Sequence, residues 1–248
     1  MTSRVVFQAE MDKLNEEIQQ MAVLAKEAIE KAVNCIVNKD PSFRKEVEKL
    51  DSQIYELEMV IEKRCLDVIA LHTPVAGDLR TVSTCLRIIT DLDRIGRYAS
   101  DIVELYDISP NGFPKPVNIS HMAQLVLRMV TDAIDDFINR DAEAAAALYE
   151  RDDEIDCLYD LNFRAVLTYM IEDPKRITAG THIILVARYL ERIADHACNI
   201  GERVVYMVTG ERMNPKERQK ADRTCYFEPK PPQDPEEERF STHELEDK

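Results

Sequence analysis

Glycine is scarce in this chain of 248 residues, where it occurs only six times. Folds rich in β-structure need glycine at their turns, and loops that wrap nucleotide phosphates need it for close backbone approach. Basic residues are also outnumbered, with 32 Lys and Arg against 47 Asp and Glu and a formal net charge of −15. The scarcity of glycine therefore favours a helical protein. Because the negative charge repels phosphate backbones and anionic lipids, we expect that this protein binds neither nucleic acid nor a membrane surface.

Long apolar runs and closely paired cysteines are missing as well. No apolar stretch approaches the roughly 20 residues that a membrane-spanning helix needs, and the start of the chain lacks the pattern of a secretory leader. The six cysteines form no CxxC pair, which argues against a zinc finger or a disulfide framework. These absences predict a cytoplasmic protein without membrane insertion, whose cysteines are buried reduced thiols.

Eleven prolines punctuate the sequence, and because proline interrupts helices they divide it into six long windows. The windows extend over residues 8–39, 42–72, 76–107, 118–139, 142–172 and 175–210. Each carries apolar residues at the three- and four-residue spacing of a helix. Around the third window these residues are Val75, Leu79, Val82, Leu86 and Ile89. Helices of this length are typical of up-and-down bundles.

The two halves of the chain repeat each other. Residues 38–40 match residues 139–141, and Asp51 matches Asp152 at the same offset. In a second register, the segment Leu92–Ile102 aligns with Leu190–Ile200. An internal repeat of this kind indicates that one supersecondary unit occurs twice.

The predicted fold is therefore all-α, with two tandem three-helix bundles built from six long antiparallel helices. We assign the first bundle to residues 8–107, a linker to residues 108–117 and the second bundle to residues 118–210. Residues 213–248 are rich in proline and acidic residues and lack a periodic apolar stripe, so we predict a disordered tail there.

Acidic residues appear at helical spacing in three of the windows. They are Asp93 and Asp101 in the third window, with Arg97 between them, Asp152, Asp156 and Asp160 in the fifth, and Glu191 and Asp195, followed by Asn199, in the sixth. In the third window the acids continue the spacing of the apolar stripe, so we expect them on its buried face. Carboxylates that converge on one bundle surface repel each other unless protons, basic side chains or a metal ion neutralise them.

Two interpretations of these acids stay open from the residues alone. Each series is either a solvated helix face with local ion pairs to residues such as Arg94, Arg188 or Arg192, or part of a carboxylate site for Fe, Mn, Mg or Ca. The recurrence of the series in both halves favours the second interpretation. His196 is either a further ligand or an interhelix hydrogen-bonding group, because on a helix it points about 100° away from Asp195.

Sequence motifs for catalysis are not present. The chain contains no Glu-x-x-His, HExxH, GxSxG, Walker A or GxGxxG pattern. Each of these patterns places a nucleophile, a metal ligand or a phosphate cradle at a fixed spacing that its chemistry requires. We therefore predict that the protein is not an enzyme.

Three segments resemble the PhoU family of phosphate-uptake regulators. The segment Leu190–Ile200 resembles the LERIxDHAxNI signature of that family, Pro74–Arg80 resembles its PVAxDLR segment, and Asp152–Asp156 resembles its second-repeat DDxID. The resemblance covers residues 8–210 and implies two three-helix bundles with metal clusters, often of iron, held by acidic motifs. Zinc, manganese and magnesium are the alternatives to iron. It also implies a cytosolic, non-enzymatic negative regulator that acts on the phosphate ABC transporter and its sensor histidine kinase.

Carried over by position, the resemblance assigns ligands mainly to the second repeat. The predicted metal ligands are Glu191, Asp195, Asn199, Asp152, Asp156, Asp93, Asp101 and Asp51. The first repeat departs from the family pattern at Arg97, where aspartate is expected, and at Tyr98, where histidine is common. Because Arg97 lies four residues from both Asp93 and Asp101, we predict that it pairs with them and makes the first repeat the weaker metal site.

Two other functions compete with the regulatory adapter. A carboxylate-metal phosphohydrolase is one, because two-metal oxygen sites activate water. A purely structural helical bundle, in which every acid is merely solvated, is the other. The sequence leaves the oligomeric state open, including a homodimer, and does not identify the metal or the physical partner.

Overall fold

The computed structural model describes residues 3–108 and 118–213 of the chain. These residues form six α-helices, and within these two ranges there is no β-strand. The helices are α1 (Ser3–Asn38), α2 (Ser42–His72), α3 (Gly77–Ile108), α4 (Ile119–Asn139), α5 (Ala142–Glu172) and α6 (Ile177–Thr209), with a 3-10 turn at Pro174–Arg176 before α6. The all-α prediction is therefore confirmed.

The helix ends follow local sequence signals. Asn118 caps α4 by accepting a hydrogen bond from the His121 amide, and Asp141 caps α5 by accepting from the amides of Glu143 and Ala144. Helix α6 ends at Gly210, whose φ of 78° is easily adopted only without a Cβ atom. The segments between the prolines predicted the helix ends closely, except that α1 begins at Ser3, before the predicted residue 8.

The six helices form two packed three-helix bundles. Helix α1 packs on α2 and α3, and α4 packs on α5 and α6, while the buried apolar side chains of both repeats belong to one continuous core. The bundles meet where α3 packs against α6 and α1 against α4. Thr84 of α3 donates a hydrogen bond to the Arg203 carbonyl of α6 at 3.5 Å, and Asp91 meets His196 nearer the middle of both helices. Helices α3 and α6 are therefore antiparallel, and the order across this layer is α2, α3, α6 and α5.

The apolar stripe of α2 lies in the core as its spacing predicts, but the stripe of α3 has a different phase. Val82 and Ile89 are buried, whereas Val75 is 74% exposed and Leu79 is also exposed. Val75 lies before the first residue of α3, so helical spacing does not apply to it. The buried face of α3 continues through Leu92, Ile95, Ala99 and Ile102.

Because the buried face of α3 has a different phase from the predicted one, the acids of α3 lie beside the core and not in it. Asp93 and Asp101 are partly buried and Arg97 is exposed, because all three lie on the flank of the helix that faces α2. The expectation that these residues replace core positions was wrong. They border the core, where carboxylates keep partial access to water.

The cysteines follow the prediction with one exception. Cys35, Cys65, Cys85 and Cys198 are buried reduced thiols. Cys157 is disulfide-bonded, so the prediction of reduced thiols was wrong for this residue. Cys225 lies outside the described residues.

The predicted domain limits are only partly open to comparison with the structure. Most of the predicted linker, from residue 109 to residue 117, and the predicted tail from residue 214 onward lie outside the described residues. Their assignment stays a prediction. Among the residues that the structure does describe, no helix is long and apolar enough to cross a membrane.

Candidate metal centre

In the first repeat, α2 and α3 approach closely where the acids lie. A Cβ atom added at Gly96 would lie 2.7 Å from Ile54 Cδ1 and 3.7 Å from Asp51 Oδ1. The absence of a side chain at Gly96 thus lets α2 pack against α3 and places the Asp51 carboxylate on the α3 surface. Glu58, two turns further along α2, hydrogen-bonds with Thr90 of α3.

The carboxylates of this helix pair influence one another electrostatically. Burial raises the pKa of Asp51, and the negative charge of Asp93 raises it further. Burial and then Asp93 raise the pKa of Glu58 in the same way. The pKa of Asp101 is raised by burial, then by Glu104, with a further contribution from Asp51. Asp51, Glu58, Asp93 and Asp101, which we call the α2–α3 acid cluster, therefore belong to one electrostatic unit.

Arg97 is the cation of this cluster. Its Nη2 atom lies 3.9 Å from Asp93 Oδ1, and its charge opposes the rise in the pKa of Asp51, Glu58 and Asp101. The Arg97 side chain is 57% exposed, whereas that of Asp93 is only 15% exposed. The guanidinium therefore covers the cluster from the solvent side.

Two oxygen atoms of the cluster are suited to a cation. Asp51 Oδ1 and Asp93 Oδ1 are inaccessible to solvent and accept no hydrogen bond from any residue that the structure describes. A buried carboxylate oxygen without a donor is costly unless a proton or a cation neutralises it. The donor chemistry of the α2–α3 acid cluster thus fits an oxygen-ligated metal ion as well as a partly protonated set of acids.

In the second repeat, two contacts fix the register of α5 against α6. Cys198 of α6 lies 3.7 Å from the Leu148 carbonyl of α5, and the Arg188 guanidinium of α6 lies 5.9 Å from the centre of the Tyr159 ring of α5. Asp152 and Asp156 of α5 fall between these contacts, at the level of Glu191 and Asp195 of α6. We call these four residues the α5–α6 acid set.

The α5–α6 acid set is more deeply placed than the cluster of the first repeat. Asp152 is 1% exposed and Glu191 is 4% exposed, while Asp156 and Asp195 are partly buried. Arg188 Nη1 lies 2.5 Å from Glu191 Oε1, so one oxygen of Glu191 already has a basic partner. Asn199 is exposed, one turn beyond Asp195. Acids from two facing helices that are buried to this degree have the donor chemistry of a site for a hard cation.

The predicted metal ligands do not form a closed coordination shell in this structure. Within the two described ranges, no three side chains of His, Cys, Asp or Glu are grouped closely enough to hold a metal ion. The structure brings the acids of each repeat to a common helix interface and leaves their role as ligands a prediction.

His196 has a partner on the other repeat. Its Nδ1 atom lies 2.7 Å from Asp91 Oδ1, and its ring lies 5.8 Å from the ring of Tyr98, which stacks on Tyr189. Both side chains of the His196–Asp91 pair are mostly buried. His196 thus makes the interhelix contact that was one of its two sequence-based interpretations, and this contact joins α3 to α6.

Glu58 is the residue of these sites that was missed in the sequence, whereas Arg188 was named there as an ion-pair partner of the acids. Glu58 lies seven residues after Asp51, a spacing that puts both on one face of α2, so a search of α2 for acid spacing finds it. Arg188 precedes Glu191 by three residues, and their contact is a local ion pair of the kind that the first of the two interpretations names. Its close approach to Glu191 depends on the rotamers of both side chains and on the Tyr159 ring, which spacing does not show.

Comparisons with known proteins cover nearly all of the helical body. A family model described as PhoU domain matches residues 18–106 and again residues 119–204. Over 204 residues the chain is 40% identical to a protein of Aquifex aeolicus, with 82% of this chain and 92% of that protein covered. Over 221 residues it is 35% identical to a protein of Rhizobium meliloti, with 88% and 93% covered. Both relatives are called phosphate-specific transport system accessory protein PhoU homolog.

Solved structures give the same result for the fold. The crystal structure of PhoU from Pseudomonas aeruginosa matches with a TM-score of 0.78 and 33% identity, and the match covers 83% of this chain and 100% of that one. The crystal structure of the phosphate transport system regulatory protein PhoU from Streptococcus pneumoniae also has a TM-score of 0.78, at 27% identity, with 84% and 99% covered. With two family domains, six helices in the same architecture and relatives matched over most of their length, this chain belongs to the PhoU family.

Proposed function

We propose that this protein is a metal-binding, non-enzymatic regulator of phosphate uptake, which works in the cytoplasm as an adapter on a phosphate transporter and its sensor kinase. The observation that carries the proposal is the pair of PhoU domains, which accounts for most of the described chain. The relatives that match it are named as accessory proteins of phosphate-specific transport. An accessory protein acts by binding to the machinery that it serves.

The second repeat is the site that we propose for the metal. Asp152 and Asp156 of α5 and Glu191 and Asp195 of α6 would hold it, with Arg188 competing for one oxygen of Glu191. Carboxylate oxygens accept iron, manganese, magnesium and zinc, and we propose iron first. The bound ion would supply positive charge between two helices that carry buried acids. Metal binding would thereby stabilise the packing of α5 on α6.

The outer helices support a role in docking. Tyr55, Met59 and Leu66 are exposed apolar residues on one face of α2, and Phe163 and Leu167 are exposed on α5. Large exposed apolar side chains on neighbouring turns are typical of surfaces that bind another protein. We propose that a component of the phosphate transport system covers such a face, and that negative regulation follows from this contact.

A complementation experiment tests the regulatory part. In cells from which this protein has been deleted, we expect transcription of the transporter genes to stay high when phosphate is abundant, and wild-type protein to restore repression. We expect Glu191→Ala with Asp195→Ala to fail to restore it. The matched control is Glu150→Ala with Glu154→Ala, which removes the same charge from the exposed face of α5. A deletion that leaves the phosphate response unchanged would exclude the proposed function.

An assay of the purified protein tests the non-enzymatic part. The wild-type protein, loaded with iron or manganese, is incubated with p-nitrophenyl phosphate. We expect no hydrolysis above the rate of the free metal ion. Turnover that disappears in the variant with Glu191→Ala and Asp195→Ala would instead support the phosphohydrolase alternative.

A further inference from the structure

The position of Arg97 distinguishes the two repeats chemically. The segment Leu92–Ile102 aligns with Leu190–Ile200, and in this register Arg97 corresponds to Asp195. The first repeat thus has a guanidinium where the second has a carboxylate. One neighbouring acid is kept, since Asp93 corresponds to Glu191, whereas Asp101 corresponds to Asn199.

We infer that Arg97 is a built-in cation that offsets part of the negative charge of the α2–α3 acid cluster, so that the first repeat takes up no metal ion and metal binding is confined to the second repeat. The inference rests on the proposed metal binding of the second repeat. It adds that Arg97 is the residue that prevents metal binding in the first repeat.

Geometry is the first support. At Gly96, α3 approaches α2 closely, with Asp51 and Ile54 against it. Arg97 is the next residue, and its guanidinium reaches back to Asp93 at 3.9 Å. A cation held at this point faces carboxylates from both helices.

Electrostatics is the second support. The positive charge of Arg97 attracts the carboxylates of Asp51 and Glu58 of α2 and of Asp101 of α3. One covalently tethered charge therefore acts on the whole cluster. A metal ion that enters the cluster meets this charge as a repulsion, and it also lacks the carboxylate that Asp195 offers in the second repeat.

The solvent-inaccessible oxygens are the reason to expect that a substitution at Arg97 converts the cluster into a metal site. Asp51 Oδ1 and Asp93 Oδ1 accept no hydrogen bond from the described part of the chain. They are available to a cation once the guanidinium is removed. Replacing Arg97 by aspartate removes a repulsive charge and adds a ligand, whereas replacing it by glutamine removes the charge alone.

Manganese binding is measured by calorimetry and by elemental analysis of the full-length protein. Wild-type protein and four variants are compared: Glu191→Ala with Asp195→Ala, and this pair combined with Arg97→Asp, Arg97→Gln or Arg97→Lys. We expect the double variant to lose Mn²⁺ binding and the added Arg97→Asp to restore it, with an affinity at least tenfold above that of the Arg97→Gln combination. The Arg97→Lys combination, which keeps the charge, should stay without metal.

The possible results separate this inference from the proposed function. Binding by the double variant that is then lost when Asp93→Asn is added would show that the first repeat binds metal despite Arg97, and would overturn the inference while leaving metal binding intact. Failure of Arg97→Asp to restore binding, with helical circular dichroism unchanged, also overturns it. A wild-type protein that binds no Mn²⁺ excludes the proposed metal site, and in that case a gain on Arg97→Asp alone still supports the role of Arg97.

Discussion

In the first repeat, Arg97 is an exposed arginine among the carboxylates of α2 and α3. In the second repeat the position of Arg97 is occupied by Asp195, and the basic residue is Arg188, about one turn before Glu191. The acids of the first repeat are partly buried, while Asp152 and Glu191 of the second are almost fully buried. A shared three-helix plan therefore allows two ways to stabilise negative charge between helices. We infer that the position of one basic residue decides whether a repeat binds a further cation.

The largest expected effect concerns metal content. Replacing Glu191 and Asp195 by alanine removes two acids of the α5–α6 acid set, so we expect the metal content of protein purified without chelator to fall by more than tenfold. The equivalent change in the first repeat, Asp93→Ala with Asp101→Ala, should leave it unchanged. Elemental analysis of both proteins checks this. Equal losses in the two variants would contradict the difference between the repeats.

The next largest effect concerns the glycines at the two helix contacts. A Cβ atom at Gly201 would lie 2.7 Å from the Ala145 carbonyl oxygen, whereas the nearest atom to one at Gly96 is the end of the Ile54 side chain. A backbone oxygen cannot turn aside, so we expect Gly201→Ala to destabilise the protein by about 2 kcal/mol after the gain of about 1 kcal/mol in helix propensity. We expect Gly96→Ala to change stability by less than about 1 kcal/mol, because a side chain can adjust.

Calorimetric unfolding of the two glycine variants checks this order. The wild-type protein and each variant are measured at the same pH and protein concentration. A Gly96→Ala variant less stable than Gly201→Ala would show that the α2–α3 contact is the more rigid of the two.

A smaller effect concerns the ion pairs that join helices within each repeat. Arg64 of α2 binds Glu17 of α1 through two hydrogen bonds, of 2.8 and 3.0 Å, and binds Glu10 at 2.9 Å, while its side chain is 20% exposed. Arg151 pairs with Asp132 in the second repeat, but both side chains are well exposed. We expect Arg64→Ala to cost about 1–2 kcal/mol and Arg151→Ala less than about 0.5 kcal/mol.

Urea unfolding of both arginine variants measures the difference. Arg64→Lys serves as the control, because it keeps the charge and loses the planar fork that contacts both oxygens of Glu17. It should recover only part of the stability. Equal costs for Arg64→Ala and Arg151→Ala would mean that burial does not strengthen the first pair.

The smallest expected effect depends on pH. Burial, followed by the charges of Asp141 and Asp132, raises the pKa of Asp136 to about 6. The folded state then holds this proton over a range in which the unfolded chain has lost it, so stability falls as pH rises from about 4 to 6. Because Asn does not titrate, we expect Asp136→Asn to be more stable than wild type by about 1 kcal/mol at pH 7, a value reduced for partial solvent exposure, and by less at pH 4.

Thermal unfolding at the two pH values checks the Asp136 prediction. Glu150→Gln is the control, because Glu150 is an exposed acid of α5 whose charge is not among those that raise the pKa of Asp136. The same gain at pH 4 and pH 7 for Asp136→Asn would exclude the proton as its cause.

The helices could be predicted well from sequence, but the phase of α3 could not. Proline positions and the capping residues Asn118 and Asp141 act over one turn of chain, so the sequence alone locates the helix ends. The assignment of Val75 and Leu79 to the core failed because Val75 precedes α3 and Leu79 lies on the exposed side of its first turn, whereas Arg80 in the same turn contacts Met207 of α6. Correct spacing shows that residues share a face but does not show which face is covered.

The candidate site shows the same limit. Spacing identified Asp93 and Asp101 on α3 and Glu191 and Asp195 on α6 as acids of shared helix faces. Spacing indicated that Arg188 can pair with an acid of its own helix, but it did not show that Glu58 of α2 faces Asp93, because that contact joins two helices. The disulfide of Cys157 was missed for a similar reason, since cysteine spacing does not show which thiols meet in the fold.

The sequence by itself determined the helices, their repetition and the family, because proline and capping rules, apolar periodicity and motif identity are all written in residues close along the chain. The tertiary structure decided the order α2, α3, α6 and α5, the depth of each acid and the contact of His196 with Asp91 across the two repeats. These features depend on which helix faces come together and how closely. That closeness is set by small residues such as Gly96 and Gly201, where two helices from distant parts of the chain meet.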